Sequence, residues 1–274
     1  IMTKRTVKQI IIALIFFLVL FSFAFLIYYF IKSGPTCDDG IKNQAEEEID
    51  CGGPCSSCEL INIEDIEVLW VKVISNQEGF YDLAAQIKNP NQNYGSGQVS
   101  YQFELYDIQD KFIAKYSGST FILPNQTKYL IKVRVESNSM VNRAKLSFSQ
   151  IEWEKPENYQ FPELIVQQKE YRLLSDKETG FSQARAVVIN KTNFDFNKID
   201  VDILLFDSFR NLIAINSTEI STLLANQERD FTVIWFNKID GQVVFVEMEP
   251  ETNIFDPDNY LPVSRGEQER FQEY

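Results

Sequence analysis

Every cysteine of this chain lies in one short acidic segment, CDDGIKNQAEEEIDCGGPCSSC, which spans residues 37–58. Residues of these types support three kinds of chemistry, because thiolates ligate zinc, cysteine pairs form disulfides, and carboxylates around a turn bind calcium. A zinc site made only of cysteines usually has two C-x2-4-C pairs. Cys55 and Cys58 form one such pair, and Cys51 lies close to Cys55, but Cys37 stands alone.

The element before this segment is an uncharged apolar run, QIIIALIFFLVLFSFAFLIYYFI, at residues 9–31. A helix with a rise of about 1.5 Å per residue makes this run long enough for a hydrocarbon core of about 30 Å. A cleavable signal peptide is the alternative, but its apolar region is about 7–15 residues long and ends in small residues. Lys4, Arg5 and Lys8 precede the run, and only Lys32 directly follows it. The positive-inside rule therefore predicts a cytoplasmic N-terminus and an exported remainder.

Export decides between zinc and disulfides. An exported segment meets an oxidising environment, in which an even number of clustered cysteines forms disulfides. We therefore predict two disulfides among Cys37, Cys51, Cys55 and Cys58. Four cysteines allow three pairings, and the spacing does not choose among them.

The segment resembles a cysteine-rich motif that recurs next to membrane anchors and between domains of bacterial and archaeal surface proteins, C-x-D-G-I-x-N-x-x-E-x-x-x-D-C-G-G-x-C-x-x-C. The matching positions are Cys37, Asp39, Gly40, Ile41, Asn43, Glu46, Asp50, Cys51, Gly52, Gly53, Cys55 and Cys58. This resemblance, together with the many oxygen ligands that a hard cation requires, implies calcium as a cofactor. The candidate calcium ligands are Asp39, Asn43, Glu46 and Asp50.

The alternative to a calcium site is a solvated acidic loop. Glu47 and Glu48 stand where the motif often has threonine and aspartate. Gly52 and Gly53 are expected to adopt positive φ in a tight turn, because glycine has no Cβ to oppose that conformation.

The remaining chain has the pattern of β-strands. From about residue 60, short segments such as IEVLWVKVI and YLIKVRVES alternate between apolar and polar residues, with Asn, Gly, Pro and Ser between them. The second half repeats the first at an offset of about 100 residues. VSYQFELYDIQDKFIAKYSGS at 99–119 aligns without gaps with IDVDILLFDSFRNLIAINSTE at 199–219. Each copy has the size of an immunoglobulin-like or related β-sandwich.

The FELYD and ILLFD blocks look like the F-x-L-Y-D signature of an exported prokaryotic sandwich family, which is itself similar to the late-embryogenesis-abundant type of fibronectin-like sandwich. The motif residues are Phe103, Leu105, Tyr106 and Asp107 in the first copy, and Ile203, Leu205, Phe206 and Asp207 in the second. Alternation predicts that Phe103 and Leu105 are buried. We expect each aspartate to start a hairpin turn by accepting backbone hydrogen bonds. Lys111 or Asn211 would then lie near the left-handed region.

These observations predict an all-β fold: two tandem fibronectin- or immunoglobulin-like β-sandwiches, preceded by one transmembrane helix and a small disulfide-rich stalk. The predicted segments are a cytoplasmic N-terminus at 1–8, an anchor helix at 9–31, a cysteine-rich acidic stalk at 32–59, a first sandwich at 60–158, a second sandwich at 159–250 and a polar C-terminal tail at 251–274.

Composition limits the function. The chain has no histidine, which excludes Ser-His-Asp and Cys-His catalysis, and its net charge of −13 would repel nucleic acid. We predict a non-enzymatic, single-pass membrane protein that contacts the lipid bilayer through residues 9–31 and presents its sandwiches outside the cell membrane for binding or scaffolding. Its other partner would be a surface or envelope protein or a glycan. The alternatives are an accessory subunit of an envelope secretion, pilus or transport complex, and an envelope carbohydrate-active enzyme that uses two carboxylates.

Overall fold

The computed structural model describes residues 4–32, 37–58, 62–156 and 161–262. The chain divides into two compact units, residues 1–63 and residues 64–274. Among the described residues, the first unit contains the N-terminal helix and the cysteine segment, and the second contains the β-strands. The predicted all-β fold with one N-terminal helix and a disulfide-bonded segment is therefore confirmed.

The helix, α1, spans Lys4–Lys32. Its stretch Lys8–Tyr28 has a mean hydropathy of 3.3, and none of its most apolar window is buried within the chain. Apolar side chains lie on every side of the helix, and no polar stripe interrupts them. A helix that is apolar all round is typical of a membrane span or of the core of a large protein. A helix of this length and composition near the N-terminus could cross a membrane, and a signal sequence has the same properties.

The thirteen described strands are β1 (Glu67–Gln77), β2 (Phe80–Lys88), β3 (Ser96–Tyr106), β4 (Phe112–Ile122), β5 (Thr127–Glu136), β6 (Arg143–Ile151), β7 (Leu164–Leu173), β8 (Ser182–Asn190), β9 (Phe194–Phe206), β10 (Leu212–Leu223), β11 (Glu228–Trp235), β12 (Phe245–Glu251) and β13 (Tyr260–Pro262). They form four antiparallel sheets with the orders β1-β2-β5, β4-β3-β6, β11-β8-β7 and β10-β9-β12, and β13 also pairs with β9.

Two hydrophobic clusters lie between pairs of sheets and correspond to the two sequence repeats. In the first, Leu83 and Ile87 of β2 pack with Phe103 and Leu105 of β3, and all four side chains are fully buried. In the second, the apolar residues of β8 and β11 pack against alternate residues of β9. Each cluster is the interior that a pair of facing antiparallel sheets produces when apolar residues alternate along the strands.

A third hydrophobic cluster joins the two repeats. Ala84 of β2 and Tyr129 of β5 pack against Leu204 and Phe206 of β9 and Ile215 of β10. Because β2 and β9 are covered on both faces, their burial is nearly continuous along the strand, whereas a strand with one solvated face alternates. The sheets β1-β2-β5 and β10-β9-β12 therefore face each other.

The folded part of the second repeat continues beyond the predicted boundary at residue 250. The sequence predicts a polar tail from residue 251 onward, but β12 ends at Glu251 and β13 pairs with the beginning of β9. Ile254 is fully buried in the second cluster, and Asn259 is 5% exposed. Isolated apolar residues between acidic ones conceal this packing from a periodicity analysis. The described residues end at 262, so the rest of the predicted tail lies outside them.

Candidate functional site

The four cysteines of the 37–58 segment form two disulfides. Cys37 pairs with Cys55, and Cys51 pairs with Cys58. The two loops therefore overlap along the chain, and no cysteine in the described residues is free. Each closed loop restricts the unfolded chain, which matters for a segment with few apolar residues of its own.

Left-handed backbone conformations fold the segment back on itself. Gly52 and Gly53 have φ of 79° and 57°, as expected from their sequence context. A Cβ atom at Gly53 would lie 2.4 Å from the backbone oxygen of Ala45, so only glycine fits there. Asp50 also adopts positive φ, at 60°. These turns bring the acidic half of the loop against its cysteine-rich half.

The candidate calcium ligands form one hydrogen-bond network. The Asp50 carboxylate accepts hydrogen bonds from the backbone N–H groups of Asp39 and Gly40, each at 3.0 Å. Asn43 Nδ2 donates to Asp39 Oδ2 at 2.9 Å. Glu46, which is 6% exposed, accepts from the Asn43 backbone N–H at 3.0 Å. The four side chains are therefore close together, and the three carboxylates among them hold the backbone of the loop.

Calcium binding by this loop stays a prediction. Among the described residues, no group of three or more Cys, Asp or Glu side chains has a geometry that holds a metal ion. Calcium prefers six to eight oxygen ligands, whereas three of the candidate carboxylates already accept backbone hydrogen bonds. A bound cation would have to share those oxygens with the amides.

The F-x-L-Y-D residues are structural in both repeats. Phe103, Leu105, Ile203 and Leu205 are all fully buried in the two sandwich cores. Tyr106 ends β3, where its hydroxyl donates to Glu104 at 2.8 Å, and Phe206 ends β9 in the third cluster. The same motif position is thus partly exposed in the first repeat, and in the second it is buried against the first repeat.

Asp107 and Asp207 start matching hairpin turns, as predicted. Asp107 Oδ1 accepts hydrogen bonds from the backbone N–H groups of Gln109 and Lys111, both at 2.9 Å. Asp207 Oδ1 accepts the equivalent bonds from Phe209 and Asn211, both at 2.8 Å. These contacts are those of an aspartate that caps a turn, and they account for the presence of the residue in both repeats.

The predicted left-handed positions in these turns are wrong by one residue. Asp110 and Arg210 have φ of 60° and 65°, whereas φ is not positive at Lys111 and Asn211. The difference arises because Lys111 and Asn211 return to the ladder by donating to the aspartate that opens the turn. The residue before each of them must therefore make the reversal.

A buried asparagine anchors each repeat, and the strand pattern of the sequence predicts neither of them. Asn89 and Asn190 are fully buried. Asn89 Nδ2 donates to the backbone oxygens of Tyr94 and Leu123, at 2.6 and 2.9 Å. Asn190 Nδ2 donates in the same way to Phe194 and Leu223. The separation of Asn89 and Asn190 along the chain matches the offset between the two repeats. This match is the feature of the sequence that indicates their shared role.

Charged side chains are buried where the two repeats meet. Lys128 of β5 is 2% exposed, and its Nζ lies 2.7 Å from Glu251 Oε2 of β12. The same ammonium donates to Thr120 Oγ1 and to the backbone oxygen of Phe121, both at 3.1 Å. It also stands 4.0 Å from the centre of the Phe121 ring. A buried ammonium is tolerated here because its donors are all satisfied.

Acidic residues continue along this face. Tyr129 donates to Glu247 Oε2 at 2.8 Å, and burial, followed by the hydrogen bond to Glu247, raises the tyrosine pKa. Burial and the neighbouring charges of Glu251 and Glu247 raise the pKa of Glu249 to about 7. In the sequence, Glu247, Glu249 and Glu251 occupy alternate positions. This spacing indicates that all three lie on one face of a strand.

Comparison with models of known protein families and with curated proteins gives no match for this chain. The resemblances to the cysteine-rich surface motif and to the F-x-L-Y-D sandwiches therefore stay predictions. The burial of the motif residues and the matching aspartate turns are properties of this chain itself.

Proposed function

We propose that this chain is a non-enzymatic, single-pass membrane protein that presents two β-sandwiches outside the cell membrane for binding or scaffolding. One observation carries the proposal: α1 has large apolar side chains on every side, and its most apolar window is entirely unburied. Phe21 is 78% exposed and Leu18 is 71% exposed. Such a surface is unfavourable in water and favourable in lipid, where the helix satisfies its own backbone hydrogen bonds.

The charges around α1 support the proposed orientation. Lys4, Arg5 and Lys8 stand at or before the start of the apolar stretch, whereas Lys32 is followed within a few residues by the acidic segment. Basic residues are retained on the cytoplasmic side. The two disulfides that follow the helix agree with an exported segment, because disulfides persist in oxidising compartments and are rare in the cytosol.

The side chains available for chemistry support a binding or scaffolding role. The chain contains no histidine, and its four cysteines are in disulfides, so neither an imidazole nor a thiolate can act as a base or nucleophile. The repeated aspartates, Asp107 and Asp207, cap turns. The net charge of −13 favours protein or glycan partners over nucleic acid.

The test combines carbonate extraction, N-terminal sequencing and protease treatment of sealed cells. The full chain should stay in the carbonate-washed membrane pellet, retain residues 9–31 and lose its β-strand region to protease added outside. Replacing Leu18 and Phe21 with arginine should release the chain from the membrane, because each central arginine costs about 2.5–3.5 kcal/mol on insertion scales. The matched control replaces the same residues with isoleucine and leucine, and it should behave like the original chain.

Three results would contradict the proposal. A mature chain that begins after residue 32 would identify α1 as a signal sequence. A β-strand region that protease reaches only after the cells are lysed would place it in the cytoplasm. Stoichiometric co-purification of membrane partners after gentle detergent extraction would instead favour the accessory-subunit alternative.

A further inference from the structure

A cleft of about 350 Å³ opens where β5 of the first repeat meets β9, β10 and β12 of the second. We call it the carboxylate cleft. Its acidic side chains are Asp200, Asp202, Glu219 and Glu251, and Tyr129 and Ile131 form part of its wall. The acidic and apolar lining residues approach from opposite sheets, so the cleft exists only because the two repeats pack together.

Asp202 is the acidic residue of the cleft that lacks a partner. It is 8% exposed, and no described residue donates a hydrogen bond to its carboxyl group or forms an ion pair with it. The other three are paired: Lys198 Nζ lies 3.3 Å from Asp200 and 3.2 Å from Glu219, and Lys128 binds Glu251. A buried carboxyl group without a donor is unfavourable unless it is protonated or a ligand supplies the donor.

Lys128 cannot supply the missing hydrogen bond. An ammonium group has three N–H donors. Those of Lys128 are directed at Glu251 Oε2, Thr120 Oγ1 and the backbone oxygen of Phe121. Its donor capacity is therefore used, although its charge still acts on Asp202 through space. Asp202 is left facing the cleft as an acceptor.

We propose that the carboxylate cleft binds an organic cation, an alkylammonium or guanidinium group, with Asp202 as its hydrogen-bond acceptor. Four carboxyl groups line the cleft, and the ammonium groups of Lys128 and Lys198 pair with three of them, which leaves Asp202 without a counter-ion of its own. Ile131, which is only partly buried, offers an apolar surface for the alkyl stem of such a cation.

A divalent metal ion fits this lining less well. Calcium and magnesium need several oxygen ligands converging on one point. No group of three or more Cys, Asp or Glu side chains in the described residues converges in that way. A flat or extended cation needs only one or two carboxylates and an apolar wall. This proposal rests on the proposed binding role, and it adds the chemical class of the partner.

The test is calorimetric titration of the full chain in detergent, which does not depend on membrane orientation. The probes are N-acetyl-lysine methylamide, n-butylammonium chloride, the uncharged N-acetyl-norleucine methylamide and calcium chloride. We expect the lysine derivative to bind and the norleucine derivative not to bind. Binding of n-butylammonium with equal affinity would identify the site as one for free amines, and weaker binding would identify it as one for a peptide side chain, both within the proposal.

Asp202→Asn should weaken binding of the lysine derivative about tenfold or more, because a charged hydrogen bond is lost. Glu219→Gln at the rim should weaken it less. The matched control is Asp230→Asn, an exposed aspartate of β11 outside the cleft, which should bind like the original chain. Thermal unfolding of each variant checks that it is folded.

Unchanged binding in Asp202→Asn would overturn the inference, as would equal binding of the norleucine derivative. Calcium that binds alone and displaces the lysine derivative in an Asp202-dependent manner would also overturn it in favour of a metal site. None of these results bears on the membrane topology, which the protease experiment tests separately.

Discussion

Lys128 of β5 and Glu251 of β12 form a buried ion pair that connects the two sequence repeats, with 2.7 Å between Nζ and Oε2. Removing two charges from water costs several kcal/mol per ion, and the attraction between them compensates only if the remaining hydrogen bonds are made. Thr120 and Phe121 accept the other two hydrogen bonds of Lys128. The pair therefore links the two facing sheets through an ammonium group whose three hydrogen bonds are all made.

Replacing Lys128 with methionine should lower the free energy of unfolding by about 3–5 kcal/mol, because Glu251 then stays buried without its counter-ion. Urea unfolding of the detergent-solubilised chain, followed by tryptophan fluorescence, measures this change. The double variant Lys128→Met, Glu251→Met should recover most of the loss, since two apolar side chains can fill the same space.

The matched control for this prediction is Lys88→Met. Lys88 pairs with Glu67 at 3.9 Å, and both side chains are about half exposed. An exposed pair contributes about 0–1 kcal/mol. Equal losses in the two single variants would show that the Lys128 pair is not buried in solution.

The unfolding free energy should rise as the pH falls from about 7 to about 4.5. The pKa of Glu249 is about 7 in the folded chain and is ordinarily near 4.5. Between those values the folded state binds more protons than the unfolded state, so raising the pH destabilises the fold. Burial also raises the pKa of Asp202 and of Glu251, and both act in the same direction. Urea unfolding at several pH values measures the slope.

Glu249→Gln should reduce that slope, and Glu228→Gln, an exposed residue of β11, should leave it unchanged. The charged groups that shift the pKa of Glu249 are Glu251 and Glu247 on its own strand, Lys169 on β7 and Lys128 on β5. Arg172 lowers the pKa of Glu178 to about 2, so that carboxylate contributes stability which is lost only below about pH 4.5. A stability that increases with pH between 4.5 and 7 would contradict the prediction.

Asn89→Ala should destabilise the chain by about 2–4 kcal/mol, because the backbone oxygens of Tyr94 and Leu123 lose their donor. Asn89→Asp should be worse, although it has the same shape, since it places a carboxylate oxygen against those carbonyl groups. Asn190→Ala and Asn190→Asp should follow the same order in the second repeat. Thermal unfolding measures all four variants.

Asn138 provides the control for the buried asparagines. It is exposed in the loop before β6, so Asn138→Ala should change stability little. If Asn89→Asp proved as stable as Asn138→Ala, the buried amide donor would have no structural role.

Calcium titration of the oxidised chain should give a binding event that Asp39→Asn and Asp50→Asn both weaken. Each change removes a carboxylate oxygen that a hard cation requires. Reduction of the disulfides should abolish the event, because Cys37–Cys55 and Cys51–Cys58 hold the loop closed. Isothermal calorimetry measures the binding.

Asp38→Asn is the matched control for the calcium prediction, since Asp38 is an exposed acid of the same loop outside the candidate ligand set. If calorimetry detects no calcium binding by the oxidised chain, the calcium prediction is wrong. An equal effect of Asp38→Asn would indicate a diffuse attraction of cations to the acidic loop.

Much of the architecture could be predicted from local pattern. The uncharged run at 9–31 predicts a helix because nothing interrupts it, and α1 spans Lys4–Lys32. Alternation predicts β3 and β9, and the aspartate turns follow from side-chain oxygens that reach backbone amides two and four residues away. Each of these features depends on residues that are neighbours along the chain.

The cysteine pairing could not be predicted in this way. Four cysteines close together permit every pairing by distance along the chain, and the left-handed turns at Asp50, Gly52 and Gly53 decide which sulfur atoms meet. The same limit applies to the ligand candidates, whose oxygens the fold directs at backbone amides.

Patterns among residues that are close along the chain are enough to predict the apolar helix, the strand-rich repeats, the hairpin turns and the presence of a disulfide-prone segment. The burial of Lys128 and Asp202 between the repeats depends instead on which sheets pack against each other. The physical reason is that a period of two assigns residues to one face of a strand but does not say what covers that face. From sequence alone, a charged residue on the outer face of a strand is predicted to be exposed to solvent. It is buried only if a second sheet packs against that face.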